Sequence, residues 1–98
     1  MIDFAGKLPL YLGNVYATPR ALNALSAAKV RHIELLVRHS SGDWGDVSTE
    51  QAEANNRAVV NYGRVLSCYL LPTGVVVEVS TEGDRSQTTL MVAADYLL

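Results

Sequence analysis

The hydrophobic pattern of this chain changes its period once, near Gly63. Before that residue, apolar side chains recur at helical spacing, and after it they alternate with polar ones as in strands. Helices that come first and strands that come last indicate an α+β fold. Because 98 residues leave room for one hydrophobic core, residues 1–98 are predicted to form a single domain.

Local start signals support helices in the first part of the chain. Thr18 can cap the first amides, and Pro19 fits the first helical position, where its missing N–H costs nothing. Ser48 and Gln51 have the spacing of a capping box. Asn56 is predicted to lie beside an apolar helix stripe, where a buried amide needs hydrogen-bond partners. The predicted helices span Pro19–Ala28, Val30–His39 and Thr49–Tyr62.

The second part of the chain predicts a three-stranded antiparallel meander, with the helices packed on one face of the sheet. In its middle strand, Val77 and Val79 share one face with Thr81, and Glu78 points to the other. A short N-terminal strand over Tyr11–Tyr16 is also predicted, and the sequence leaves open whether it joins the sheet as an edge. The strands of the meander are predicted at Arg64–Leu71, Val75–Thr81 and Gln87–Ala93.

Composition and charge argue against several classes of protein. A formal net charge of −2 with 18% charged residues lacks the basic excess of a typical nucleic-acid binder, so nucleic acid is not the expected partner. No apolar run approaches the ~20 residues that span a bilayer, and no signal peptide is recognised at the N-terminus. Cys68, the one cysteine, is predicted to be a buried structural thiol of a soluble cytoplasmic protein.

Residues with catalytic or metal-binding chemistry are sparse. His32 and His39 are too far apart along one helix to share a metal, so both are predicted to be solvated or capping histidines. No phosphate-binding glycine loop, CxxC pair or hydrolase motif occurs. The chain is therefore predicted to be non-enzymatic, with no metal and no cofactor. A small hydrolase or transferase would require a closed pocket that joins His39, Asp43 and Asp84.

The polar loop Ser40–Asp46 is a candidate binding surface because it carries the only tryptophan of the chain. Trp44 has two interpretations. It is either an exposed anchor for a partner, or a plug folded back over the small core. In the second case Asp43 or Asp46 would cap the following helix.

The charged turn Glu82–Ser86 is a second candidate, since hairpin ends often display binding residues. The alternative is an ordinary solvated turn that Asp84 and Arg85 help to set. A paired-carboxylate role for Glu82 and Asp84 is possible in principle, but nothing in the sequence predicts the burial that such a role requires. The candidate binding residues of the two segments are His39, Asp43, Trp44, Asp46, Glu82, Asp84 and Arg85.

Several short motifs follow one another in a fixed order. They are Ala17-Thr-Pro-Arg-Ala-Leu22, His39-Ser-Ser-Gly-Asp-Trp-Gly45, Ala54-Asn-Asn56, Arg64-Val-Leu-Ser-Cys-Tyr69, Leu71-Pro-Thr-Gly74, Thr81-Glu-Gly-Asp-Arg-Ser86 and Asp95-Tyr96. This series, from Leu12 to Tyr96, resembles a family of short bacterial proteins carried on plasmids and integrated mobile elements, with the pattern ATPxAL, HxSGDWG, LSAY and TEADRSxT. The chain departs from it at Gly83, where alanine is usual, a change that a turn absorbs easily. Glu78 and Ser80 replace tryptophan and isoleucine, which makes that sheet face more polar.

The resemblance implies a small protein-binding factor of a mobile element, and an anti-restriction or anti-CRISPR inhibitor of a host defence complex fits that setting. Some family members are named restriction-modification subunits, but a chain of this size cannot hold a methyltransferase cofactor domain and base-flipping pocket. An edge strand and a leucine-rich C-terminus also permit a homodimer. The alternative function is a nucleic-acid-associated regulator that uses Arg20, Arg31, Arg38, Arg57 and Arg64.

Overall fold

The computed structural model describes residues 10–93, which form three helices and a four-stranded sheet. The helices are α1 (Pro19–Ala28), α2 (His32–Ser40) and α3 (Thr49–Asn61). The strands are β1 (Asn14–Ala17), β2 (Val65–Leu70), β3 (Val76–Thr81) and β4 (Gln87–Val92). The α+β class is confirmed, and the helices and last three strands lie within two residues of their predicted bounds.

Two helices begin where their capping residues predict. The Thr18 hydroxyl accepts a hydrogen bond from the Ala21 amide at 3.1 Å, and the Ser48 hydroxyl accepts one from the Gln51 amide at 3.0 Å. Each bond satisfies an amide that the first helical turn leaves without a partner. α2 begins after Arg31 without a side-chain cap, which accounts for its less exact prediction.

The sheet is mixed and has the strand order β1-β4-β3-β2, so a three-stranded meander is wrong as a description of it. The last three strands pair antiparallel in sequence. β1 is a fourth strand that lies parallel to β4, with Asn14 opposite Gln87 and Ala17 opposite Leu90. A parallel neighbour requires a long crossover connection, here most of the chain, so no local turn signal reveals the pairing.

The core lies between the helices and one face of the sheet. Val77 and Val79, which were predicted to share one face of their strand, both point into it, and neither has exposed surface. The main cluster consists of Ala21, Leu25, Leu35, Leu36, Tyr69, Leu71, Val77, Val79 and Leu90. A smaller cluster joins Leu10, Trp44, Ala58 and Val65 beneath α3.

The opposite face of the sheet carries alternate residues that are only partly buried, among them Leu66, Glu78 and Met91. Cys68 belongs to this face, because its strand neighbours Ser67 and Tyr69 point inward. The thiol is therefore partly exposed rather than buried as predicted.

Candidate functional site

Trp44, the first candidate contact residue, lies inside the protein. Only 7% of its surface is exposed, and it packs in the smaller core cluster. Its indole N–H donates to the Asn56 side-chain oxygen at 3.1 Å, and its ring meets that of His39 edge-on, with centroids 5.9 Å apart. The structure therefore confirms the second interpretation of Trp44, a side chain folded back over the core. Ser48, and not Asp43 or Asp46, caps the helix that follows.

Asp43 holds the loop to the end of α2. Its carboxylate accepts two hydrogen bonds from Arg38, at 2.7 and 3.2 Å, and these lower the pKa of Asp43. Its backbone oxygen accepts the Tyr69 hydroxyl proton at 2.7 Å, and burial raises the pKa of Tyr69 to about 12. The ion pair is exposed and contributes little on its own, so its main effect is to fix the loop position.

The loop closes the outer edge of β2, together with one side chain from α3. The side-chain amide of Asn55 pairs with both backbone groups of Leu66, at 2.7 and 3.1 Å. The Cys68 amide donates to the Trp44 oxygen at 3.1 Å, and the Cys68 oxygen accepts from the Asp46 amide at 2.6 Å. The Asp46 carboxylate accepts from the Leu70 amide at 2.9 Å. These five hydrogen bonds satisfy the backbone groups that an edge strand normally leaves unpaired.

Gly45 permits this close approach. Its φ of 73° lies in the left-handed region, which residues other than glycine adopt only at a cost in free energy. A Cβ at this position would also lie 2.6 Å from the Tyr69 ring. The Trp44–Asp46 strip, which is the segment whose backbone bonds to Cys68 of β2, therefore requires glycine at position 45 for both its backbone angle and its close approach.

His39 is completely buried, so its prediction as a solvated or capping histidine is wrong. Nδ1 lies 2.6 Å from the Ser67 hydroxyl, and Nε2 lies 2.8 Å from the Thr81 hydroxyl. The Thr81 hydroxyl in turn lies 2.7 Å from that of Thr88. This polar chain links α2 to three strands within the core. His32, in contrast, is exposed on the first turn of α2.

The direction of these hydrogen bonds follows from the last hydroxyl group of the series, that of Thr88. The Thr88 hydroxyl donates its single proton to the Leu12 carbonyl oxygen at 2.8 Å, so it accepts from Thr81. The Thr81 hydroxyl therefore accepts from Nε2 of His39, and Nδ1 accepts the Ser67 proton. The geometry places a proton on Nε2, and Nδ1 is an acceptor in the neutral imidazole that the lowered pKa of His39 favours.

The buried imidazole resists protonation. Burial, and then the positive charge of Arg85, lowers the pKa of His39 to about 4. With no exposed surface and both nitrogens engaged, His39 has no access to a substrate. Asp84 lies at an exposed turn and Asp43 is paired with Arg38, so residues 10–93 do not form the closed pocket that a hydrolase or transferase would require.

Arg85 holds the second candidate segment to the core. It is 9% exposed and has a left-handed φ of 62°. Its guanidinium donates to the carbonyl oxygens of Ala58 (2.8 Å), Gly63 (2.7 Å) and Glu82 (3.1 Å). Two of these acceptors lie at the C-terminal end of α3, where carbonyl groups lack helical partners and a cation is favourable.

The remaining turn residues are structural or simply exposed. The Asp84 carboxylate accepts from the Ser86 amide at 2.9 Å, and hydrogen bonds from Ser86 lower the pKa of Asp84, opposite to the shift of a general acid. Glu82 is exposed. A Cβ on Gly83 would lie 2.7 Å from the Tyr62 carbonyl oxygen, so the alanine of the family pattern would require this backbone to move.

A different surface, which the sequence did not indicate, is open. A groove of about 280 Å³ lies beside β1 and is lined by Val15, Tyr16, Ala17, Leu22, His32, Leu36 and Leu90. Six of the nine large apolar side chains that are exposed in residues 10–93 belong to residues 11–37. The β-forming residues before Thr18 were the available signal, but their role depends on the pairing of β1 with β4.

Other classes of site find less support in the described residues. Arg38 is paired with Asp43, and Arg64 donates to the Ser80 hydroxyl at 2.8 Å on the outer sheet face, so both of these candidate arginines have partners within the protein. Between residues 10 and 93, no His, Cys, Asp and Glu side chains are grouped as a metal site would require, and no helix there has the length and apolar character needed to cross a membrane.

The motif residues thus have structural roles in this chain. His39, Trp44 and Arg85 are interior, and Asp43, Asp46 and Asp84 hold a loop or turn by hydrogen bonds. No family model, curated protein or solved structure matches the chain, so the resemblance to the mobile-element family stays a prediction.

Proposed function

We propose that this protein is a non-enzymatic binding module that takes up an extended segment of a partner protein along the outer edge of β1. The observation that carries the proposal is that the two edges of the sheet differ in whether their backbone groups have hydrogen-bond partners. The β2 edge is closed by hydrogen bonds, whereas no strand among residues 10–93 pairs with the outer edge of β1. An open edge is a ready template for an added strand.

The backbone of β1 supplies the hydrogen-bonding groups. Asn14 and Thr18 donate to the oxygens of Ser86 and Leu90 on the β4 side. Because backbone groups alternate in direction along a strand, the N–H and C=O of Val15 point away from β4. A partner segment that lies beside Val15 would satisfy them.

The groove supplies the side-chain contacts. Val15 and Ala17 face the helices, because their partners Thr88 and Leu90 do. Leu22 from α1 and Leu36 from α2 complete the apolar wall. Alternate side chains of an added strand would enter this groove, and an apolar surface of this kind on a monomer marks an interaction site.

The proposed biological setting comes from the resemblance to mobile-element proteins. A stoichiometric factor that binds a host defence complex in the cytoplasm needs a binding edge and no catalytic centre. The buried motif residues support this division, since they build the fold and leave β1 for the partner. A nucleic-acid regulator has less support, because its candidate arginines Arg38 and Arg64 bond to Asp43 and Ser80 within the protein.

Affinity capture from a lysate of the native host tests the proposal with matched variants. Val15→Pro removes the outward N–H but leaves the β4 side of the strand unchanged, and Val15→Ala keeps that N–H. Leu22→Ser alters the groove, and Val60→Ser is its control on an exposed part of α3. A partner lost with Val15→Pro and Leu22→Ser, but held by both controls, supports strand addition.

The same variants separate binding from the defence hypothesis. Host strains with a restriction or CRISPR system are expected to lose protection when they express the wild type and to keep it with Val15→Pro. Unchanged protection with the wild type would end the anti-defence part. A partner held equally by Val15→Pro would contradict binding at β1.

A further inference from the structure

A series of buried hydrogen bonds runs from α2 to the segment that enters β1. Nε2 of His39 donates to the Thr81 hydroxyl at 2.8 Å, and the Thr81 hydroxyl lies 2.7 Å from that of Thr88. The Thr88 hydroxyl donates to the Leu12 carbonyl oxygen at 2.8 Å. His39, Thr81 and Thr88 have no exposed surface. Because solvent has no access to these side chains, loss of one hydroxyl would leave a buried group without a partner.

This hydrogen-bond series passes close to residues that line the groove. On α2, Leu36 lies about one helical turn before His39, and both side chains belong to the buried face of the helix. On β4, Leu90 is the next inward-facing residue after Thr88. The bonds that join this helix to this strand therefore also set the separation of two parts of the groove wall.

The Leu12 carbonyl group is the point at which the series holds the binding strand. Leu12 precedes Val15, whose outward backbone groups define the proposed binding position, by three residues. Thr88 lies opposite Val15 in the pairing of β1 with β4. Its backbone therefore belongs to the strand beside Val15, while its hydroxyl holds the segment that enters β1. β1 is four residues long, so a bond just before it has a large share in fixing its position.

We infer that Thr88 and His39 are positioning residues of the proposed binding site, because the hydrogen-bond series between them holds the β1 edge and the α2 wall of the groove in place for an added strand. This inference rests on the proposed function and adds how its site is kept preformed. A site that is already ordered loses less conformational freedom when a partner binds, which increases affinity. The Thr88 hydroxyl thus contributes to binding from a buried position, without contact to the partner.

Amide hydrogen exchange of the unliganded full chain tests whether the series holds β1. Thr88→Val keeps the branched shape of the side chain and removes the hydroxyl, whereas Thr88→Ser keeps the hydroxyl. The Asn14 amide donates to the Ser86 carbonyl oxygen at the start of β1. This amide is expected to exchange about tenfold faster in Thr88→Val than in the wild type, and Thr88→Ser is expected to keep its exchange slow.

Ser67→Ala is the matched control within the same network. It removes the hydrogen bond at Nδ1 of His39, on the side that does not lead to β1. It therefore lowers the overall stability but leaves the bond to Leu12 in place. The Asn14 amide, which is expected to exchange by local opening, should keep its wild-type rate in this variant. Equal rates of Asn14 exchange in Ser67→Ala and Thr88→Val would overturn the inference.

Capture from the native-host lysate connects the series to binding. The partner that Val15→Pro fails to retain is expected to bind Thr88→Val about tenfold more weakly than the wild type, and Thr88→Ser is expected to recover the affinity. If capture depends on Val15 but is equal for Thr88→Val and the wild type, the inference fails and the proposed function stands. If capture does not depend on Val15, the proposed function fails and the inference fails with it.

Discussion

The two edges of the sheet are built in opposite ways. At β2, the side chain of Asn55, the backbone of the Trp44–Asp46 strip and the Asp46 carboxylate satisfy the outward backbone groups. At β1, a short strand with exposed Val15 and Tyr16 borders an open groove. Proteins usually protect both edges against unwanted pairing. The difference indicates that the polar motifs protect one edge, and the other is the edge at which we propose that a partner binds.

The motif residues have a different role from the one that their composition suggests. A polar loop with a lone tryptophan resembles a contact surface when only its composition is known. In the structure, the indole fills a gap in the core, and its neighbours supply hydrogen bonds to β2. The residues that look most functional in the sequence therefore stabilise the fold.

The largest expected effect on stability comes from substitution of the two neighbouring asparagines of α3. Asn55→Ala would leave the N–H and C=O of Leu66 without partners at a buried site, so the free energy of unfolding is expected to fall by about 3 kcal/mol. Asn56→Ala, which removes the acceptor of the Trp44 indole N–H, is expected to cost about 1 kcal/mol. Urea denaturation measures both. Equal losses would contradict the closed-edge account.

Because His39 is buried, acid is expected to lower the free energy of unfolding by about as much as the Asn55→Ala substitution does. The folded pKa of His39, about 4, lies below its ordinary value of 6.5, so the unfolded chain binds the proton more tightly. Its contribution to stability is complete above about pH 6.5 and falls by about 3 kcal/mol as the pH decreases to 4. Urea denaturation across this range should show the fall.

Two histidine variants identify the group responsible. His39→Gln should remove this pH-dependent step, although it lowers stability at neutral pH because it disturbs the hydrogen bonds to Ser67 and Thr81. His32→Gln, at an exposed position, should preserve the step. A step that survives in His39→Gln would assign the acid sensitivity to other groups.

The Asp46 carboxylate gives a smaller effect. Asp46→Ala leaves the Leu70 amide without its partner, but this end of β2 is exposed and water can replace the bond. The expected loss is about 1 kcal/mol, with faster amide exchange at Leu70 than in the wild type. Asp84→Ala, which removes a similar hydrogen bond in the Ser86 turn, is the control and should not affect Leu70.

Val15→Pro is expected to have the smallest effect on stability and the largest effect on binding. Proline is tolerated in an edge strand where its missing N–H would face outward, so the free energy of unfolding should change by about 0.5 kcal/mol or less. Thermal unfolding measures this directly. A loss of several kcal/mol would show that the outward N–H of Val15 has a partner within the protein.

The sequence predicted what is local. Helix bounds follow from Thr18, Pro19 and Ser48, whose effects act within one turn, and the later strands follow from their alternating side chains. The parallel pairing of β1 with β4 was not predictable, because hydrophobic period does not identify a strand's neighbour. For the same reason the open groove, which needs β1, α1 and α2 together, has no signature in any one segment.

Side-chain roles across the fold were equally hidden. Asn56 was predicted to be the amide that needs partners, but the fully buried amide is Asn55, since a shift of one residue turns a helical side chain by about a quarter of a turn. His39 lies on a predicted helix end, where capping is the ordinary role. Its burial depends on Ser67 and Thr81, which come from strands far along the chain.

Native-state amide hydrogen exchange of the unliganded protein compares the two sheet edges residue by residue. The Val15 amide is expected to exchange rapidly, and the amides of Leu66 and Cys68 are expected to exchange at least roughly a hundredfold more slowly. Protection of Val15 equal to that of Cys68 would show that both edges are closed. Rapid exchange at both would show that the loop does not close β2, and either result would contradict the account.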